Sequence, residues 1–500
     1  MDERLKRREE ALRKKAEARE RKLDARRQKV ATRRELVATK RELVEAKRER
    51  AETERAQAIG PTVHPGALEA EPVFGGQAYV VDMGPKDAPA VVLVHGVGDN
   101  AARDWDGLIP ALAASHRVIT FDLPGFGRST KANAVYKPDS YVKFIKHVVE
   151  ARLARPFSLI GHSMGGAIAI GYAGANSRDV ERLIVADAAG ILHRHAFGEY
   201  ALGLGIRGVP GWDAVTDGTI GAALGDILGG LAESFAHKVI RPYFRVEPDP
   251  STLFELEAAR NRILGGDPLK IAGLFLITKN FGPAIAAVAT PPLLIWGGDD
   301  RIAPLRTGLL LRSMIPGATL EVLEGCGHVP MRDRLERFKE LVIDWLASPP
   351  RAIERERARE PMKGPDEHVD RAQGRVLTGE YGRLIIDECE GIVLRGVRAG
   401  SVVIRRSRVE LEDCDVVGVQ IGLEATDSRV KATGGSISAE VAIRAERSDL
   451  DLAGTAVEGR LAAVRGAADA QVLFSVCQVR SPRNSGFLHG VYRIGATEDI

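Results

Sequence analysis

Between residues 72 and 348 the chain repeats one pattern, a short apolar run closed at or beside Gly or Asp and followed by a segment of helical period. AYVVDMG, AVVLVHG, HRVITFD, FSLIGHS, RLIVADA, PLLIWGG and TLEVLEG are the runs. Among the segments between them, Tyr141, Phe144, Ile145, Val148, Val149 and Leu153 trace one apolar helical face. Strands that are apolar throughout bury both faces, so alternation with helices predicts an α/β fold, a mostly parallel sheet covered on both sides. About a hundred residues between RLIVADA and PLLIWGG break the rhythm. Apolar and Gly-rich, the stretch near 190–285 reads as an inserted, mostly helical cap.

Different patterns flank this domain. Residues 1–58 lack Gly and Pro and carry 21 Lys/Arg against 13 Asp/Glu, a local net of +8. Leu23, Val30, Val37 and Val44 recur every seventh residue, with Ala16 and Ala51 extending the line. The companion seam positions are mostly Arg or Lys, so the segment reads as a charged helix or weak coiled coil. It offers itself to self-association or to an acidic surface, and without interleaved aromatics nothing in it favours nucleic acid. IGPTVHPG breaks this helix, and 59–71 is a linker. Residues 349–375, charged and Pro-bearing, are a second linker.

In 376–495, SRVELEDCDVV from 407, SRVKATGGSIS from 428, SDLDLAGTAVE from 448 and ADAQVLFSVCQ from 468 align at intervals of 21, 20 and 20. A strand-bearing period near 20 without helices predicts a short parallel β-helix-like solenoid, a module for structure or for a protein partner. Its acids Glu410, Glu412, Asp413 and Asp415 invite a calcium or catalytic cluster, but alternate residues of a strand face solvent, so Glu410 and Glu412 read as an exposed row.

Four scattered cysteines without CxxC spacing imply neither a disulfide framework nor a zinc site. No apolar leader and no window long enough for a membrane span is evident, so the expected location is cytoplasmic.

The chemistry starts at Gly161-His162-Ser163-Met164-Gly165, a G-x-S-x-G pattern between a predicted strand and a small-residue helix. That sharp turn presents a strained side chain, and the glycines let neighbouring backbone pass. A nucleophilic serine needs a base, and the base an orienting acid. LLIWGGDDRIAP places Asp299 and Asp300 directly after a strand, and LEVLEGCGHVP places His328 after the next.

Residues 72–348 resemble the α/β-hydrolase superfamily, in the branch that carries a helical cap. The match runs through His95-Gly96-Val97-Gly98, Asp122 to Ser129, Gly161 to Gly165, GGDDRIAP and GCGHVP. The resemblance implies Ser163 as nucleophile, His328 as base and Asp300 as acid, with the oxyanion held by the N–H groups of Val97 and Met164. His95, Gly96, Gly98, Gly161 and Gly165 support the loops. Asp299 and Asp187 are rival acids. His162 and Cys326 read as structural, and His193 with His195 lacks the neighbours of a metal site. Haloalkane dehalogenases and epoxide hydrolases of the superfamily need a carboxylate where Ser163 stands, which leaves acyl chemistry with no cofactor and no metal. The expected reaction is hydrolysis of a small apolar carboxylic ester through an acyl-enzyme. Amide, thioester or C–C hydrolysis is the alternative within the fold, and a non-catalytic scaffold the alternative outside it.

Overall fold

The computed structural model describes residues 64–98, 101–196, 250–349, 362–496 and 498–500. The helix expected over 1–58, most of the cap (197–249) and the linker stretch 350–361 lie outside the described residues.

The strands are β1 (Ala67–Glu71), β2 (Gly76–Met83), β3 (Ala90–Val94), β4 (Arg117–Phe121), β5 (Phe157–His162), β6 (Val180–Ala186), β7 (Leu293–Gly297) and β8 (Thr319–Leu323). They form one sheet in the order β1-β2-β4-β3-β5-β6-β7-β8. β1–β2 and β2–β4 are antiparallel, the other pairings parallel. β1 begins inside the 59–71 stretch read as linker, because its register on β2 adds an edge strand. Every residue of β3, β5 and β7 is buried. The cause is visible in the alternation along β3: Val92 and Val94 join one core, Val91 and Leu93 the other.

Helices α1 (Ile109–Ala113), α2 (Pro138–Glu150) and α3 (Met164–Ala175) alternate with these strands. α2 buries Tyr141, Phe144, Ile145, Val148 and Val149, the stripe its period predicts. α3 is buried nearly all round, which its Gly and Ala residues permit. The described end of the stretch expected to form a cap contains α4 (Glu257–Leu264), α5 (Pro268–Thr278) and α6 (Gly282–Ala286). α5 starts with Asp267 accepting from the Leu269 N–H at 3.0 Å and buries Ile271, Leu274 and Phe275. α7 (Leu305–Met314), α8 (Pro330–Asp333) and α9 (Leu335–Ala347) complete the layer structure.

Strands β9 to β22, from Glu367 to Ile494, form a second sheet of fourteen strands wound as a coil. It starts inside the stretch read as linker. Its pairings are parallel except the last, between β21 (Ala470–Arg480) and β22 (Ser485–Ile494). Val409, Val430, Leu450 and Val472 stack in register as one inward column, and Leu411, Ala432, Leu452 and Phe474 as the next. At four successive corners a non-glycine residue is left-handed, at φ 51° in Glu388, 44° in Arg406, 49° in Asp427 and 45° in Arg447. The following residues form a ladder that holds these corners: Cys389 N–H donates to Ser407 Oγ, Ser407 N–H to Ser428 Oγ and Ser428 N–H to Ser448 Oγ, at 2.9, 3.1 and 3.0 Å. The last interval differs from the sequence alignment: Asp449 pairs with Gln471, a step of 22 rather than 20. Two residues are absorbed in the turn before β21, where small residues give no clue to register.

The coil packs directly on the first sheet's layers. Ala453, Leu473 and Val476 belong to the same apolar core as α2, α3 and α7. Arg306 on α7 donates to Asp451 Oδ2 at 2.5 Å, Thr433 Oγ1 at 2.8 Å and the Ala432 carbonyl at 3.0 Å. Arg312 pairs with Asp413 at 2.5 Å, and Asn280 donates to the Phe487 carbonyl at 3.0 Å.

Candidate active site

The turn between β5 and α3 puts Ser163 at φ 54° and ψ −121°, a conformation costly for any residue with a side chain. Its neighbours hold it there by close packing. A Cβ on Gly161 would fall 2.3 Å from the Gly165 carbonyl oxygen, and one on Gly165 would fall 2.2 Å from that of Val94. Only glycine allows β3, β5 and α3 to approach so nearly.

His328, in the loop after β8, reaches Ser163 Oγ with Nε2 at 2.9 Å. Its Nδ1 lies 2.8 Å from Asp300 Oδ2. A carboxylate at Nδ1 requires the ring proton on that nitrogen, so Nε2 is left to accept the Ser163 hydroxyl proton. Asp300 is fixed in turn, its Oδ1 accepting the N–H groups of Ile302 at 2.7 Å and Ala303 at 2.9 Å. Asp299, the rival beside it, is exposed. Burial pushes the His328 pKa below the ordinary histidine value, and Asp300 offsets that only in part. For Asp300, burial acts upward, but the hydrogen bond and charge of His328 outweigh it and hold the carboxyl below its usual range.

The surrounding loops are tied by polar side chains. His95 Nδ1–H donates to the Gly96 carbonyl at 2.6 Å, and its Nε2 accepts from the Leu123 N–H at 2.8 Å, which joins the loops after β3 and β4. Asp122 accepts from the Ala102 N–H at 3.0 Å and from the Arg128 N–H at 2.8 Å, and pairs with the Arg128 guanidinium. The loop after β3 lies against the serine, since a Cβ on Gly96 would come 2.8 Å from Ser163 Cβ. Gly98 in the same loop has φ 147°. Val97 is there too, and Met164 is the first residue of α3, where an N–H has no acceptor within the helix.

Two residues are more closely involved than the sequence suggested. His162 Nε2–H donates to the His328 carbonyl at 2.7 Å, so the residue beside the serine holds the loop that carries His328. Asp187, at the end of β6 with φ 43°, is fully buried next to Asp300. Its Oδ1 accepts the Gly297 N–H at 2.8 Å. Burial first, and the Asp300 charge second, push its carboxyl well above the usual range. The only sequence signal for Asp187 was its place at a strand end.

The remaining candidates are occupied otherwise. Burial pushes the Cys326 thiol up to about 12, so thiolate is scarce. His193 is held neutral by burial, down to about 2, and its Nδ1 accepts the His195 N–H at 3.3 Å. On the coil, Glu412 pairs with Arg395 at 2.7 Å and Glu410 with Lys431 at 3.7 Å, so each acid faces a cation.

A sheet of this order, with a serine elbow and a histidine and an aspartate at later strand ends, defines the α/β-hydrolase class of fold. A family model described as "Alpha/beta hydrolase family" matches residues 91–341, and the chain belongs to that family. The 2-hydroxymuconate semialdehyde hydrolase of Pseudomonas sp. (strain CF600) is 31% identical over 268 residues, 51% of this chain and 86% of the relative. An uncharacterized protein of Mycobacterium tuberculosis is 28% identical over 271 residues, 52% of this chain and 75% of its own length. Among solved structures, a meta-cleavage product hydrolase from Pseudomonas fluorescens IP01 is similar at TM-score 0.38 and 24% identity, over 56% of this chain and 97% of its own. Among the described residues no helix is long and apolar enough to cross a membrane.

Proposed function

We propose that the chain is a serine hydrolase that cleaves a carboxylic ester with an apolar acyl group. The observation that carries this reading is the hydrogen-bonded series from Ser163 Oγ through His328 to Asp300. Ser163 Oγ attacks the acyl carbon while His328 Nε2 takes its proton. Asp300 keeps the imidazole oriented and stabilises the imidazolium. The N–H groups of Met164 and Val97 are assigned to the oxyanion, and each such donor is worth about 10²–10³ in turnover. His328 then protonates the leaving alcohol, and water, deprotonated by His328, releases the acid and regenerates Ser163. No step draws on a cofactor.

The apolar, Gly-rich composition of the stretch near 190–285 supports an apolar acyl group. In a series of p-nitrophenyl esters of increasing acyl length, kcat/KM is expected to peak at medium or longer chains; an optimum at acetate rejects the reading of the pocket. A second reading, hydrolysis of a C–C bond next to a carbonyl, is supported by the likeness to the 2-hydroxymuconate semialdehyde hydrolase of Pseudomonas sp. (strain CF600). It is favoured if a vinylogous diketone acid turns over faster than every ester.

The base must be neutral to accept a proton, so activity is lost as pH falls through the His328 pKa. Burial sets that value below the ordinary 6.5. The pH profile of kcat/KM is expected to be flat from about pH 7 upward, with its acid limb below 6.5. A limb centred above pH 7 contradicts the assignment of His328.

A further inference from the structure

Two buried carboxyl groups stand together behind the proposed base. Asp187 is 0% and Asp300 1% exposed, and one carboxyl oxygen of each and a ring nitrogen of His328 lie within 4.8 Å of one another. The oxygens of Asp300 are engaged by His328 and by the Ile302 and Ala303 amides. Asp187 is served on one side only. Oδ1 accepts the Gly297 N–H, whereas Oδ2 is buried and no N–H or O–H of the described residues reaches it.

An ionised Asp187 would leave that oxygen without a donor, beside a second carboxylate. The other titratable groups acting around the pair are His328, the Cys326 thiol after β8 and Asp333 on α8, with Arg334 acting on Cys326 and His162 and Asp104 acting on His328. No donor among them reaches Asp187 Oδ2, and Asp300 already takes the Nδ1–H of His328. Like charges this close in a dry site cannot both persist, so one proton is retained. Asp300 has donors on both oxygens, and Asp187 has one donor for two. The proton therefore belongs on Asp187 Oδ2, where it supplies the missing hydrogen bond to Asp300.

We infer that Asp187 stands as a neutral carboxylic acid whose Oδ2–H donates to the Asp300 carboxylate and so positions the acid behind His328. The inference rests on the triad reading above. Asp187 touches no substrate; it is a positioning residue that acts through Asp300. By taking up part of the Asp300 charge it also limits how far that carboxylate raises the basicity of His328.

Asparagine reproduces both contacts, Oδ1 accepting from Gly297 and Nδ2 donating to Asp300. Asp187→Asn is expected to keep kcat within about threefold of wild type and to leave the acid limb of the pH profile in place. Asp187→Ala removes the donor. It is expected to lower kcat by about 10- to 100-fold with little change in KM, and to move the acid limb upward as His328 becomes more basic. If Asp187 were ionised, Asp187→Asn would delete a negative charge near the base and move the limb down by about one unit. That shift, or an alanine variant as active as wild type, overturns the inference. If the alanine variant does not fold, the infrared difference between wild type and Asp187→Asn at neutral pH decides. A protonated-carboxyl C=O band lost in the variant supports the inference, and a lost carboxylate band rejects it. The infrared readout needs no turnover. Failure of wild-type Ser163 to react with a fluorophosphonate would instead remove the triad reading.

Discussion

Ser163→Ala is expected to lower turnover of the best ester by about 10⁵–10⁶-fold, the loss seen when a triad that works as a unit loses its nucleophile. The change removes one oxygen from a side chain that is 6% exposed, and alanine occupies the left-handed elbow at no greater cost than serine. Its thermal midpoint should therefore stay within a few degrees of wild type. The matched experiment is labelling with a fluorophosphonate, which reacts only with an activated serine. Wild type should be labelled at Ser163 and the variant not at all. A folded wild type that resists the probe would favour the non-catalytic scaffold, since hydrogen-bond geometry alone does not make Oγ reactive. Labelling that persists in Ser163→Ala would move the nucleophile elsewhere in the chain.

Removing the coil, by ending the chain after residue 349, is expected to leave the remaining part aggregated or far less stable. Ala453, Leu473 and Val476 complete a core to which α2, α3, α7 and the first sheet contribute, so their loss bares apolar surface. A Cβ on Gly454 would fall 2.7 Å from Leu310 Cγ, which shows how closely the coil approaches α7. Arg306 would also lose Asp451 and Thr433 while its side chain is only 12% exposed. The single change Arg306→Ala samples the same contact and should cost about 2–4 kcal/mol, read as a drop of several degrees in thermal midpoint. A truncated chain that melts at the wild-type temperature would show that the coil is an appendage. Because α7 follows the Asp300 loop directly, its displacement should lower kcat as well.

The parts legible in the sequence are those whose signals are local. Uniformly apolar runs such as AVVLV and LLIWG announce strands covered on both faces, and the stripe on α2 announces the side it buries. G-x-S-x-G is legible because its glycines answer to contacts within a few residues and to one adjacent strand. The solenoid shows itself through its ladder serines, Ser407, Ser428 and Ser448, which recur at the corners. The last coil hides its register, since its extra residues fall among alanines and a glycine that fit either spacing.

What the chain's order of residues determined by itself is therefore the α/β alternation, the coil repeat and the identity of a serine, an aspartate and a histidine at strand ends. Tertiary structure decided the rest. Asp300 rather than Asp299 faces His328, because its Oδ1 is held by the two amides that follow it. Asp187 becomes the neighbour of that acid only because β6 and β7 lie side by side. Arg306 finds Asp451 across 145 positions. Such pairs leave no mark on either residue's own surroundings in sequence, since their energy comes from burial and from partners brought together only when the two sheets pack.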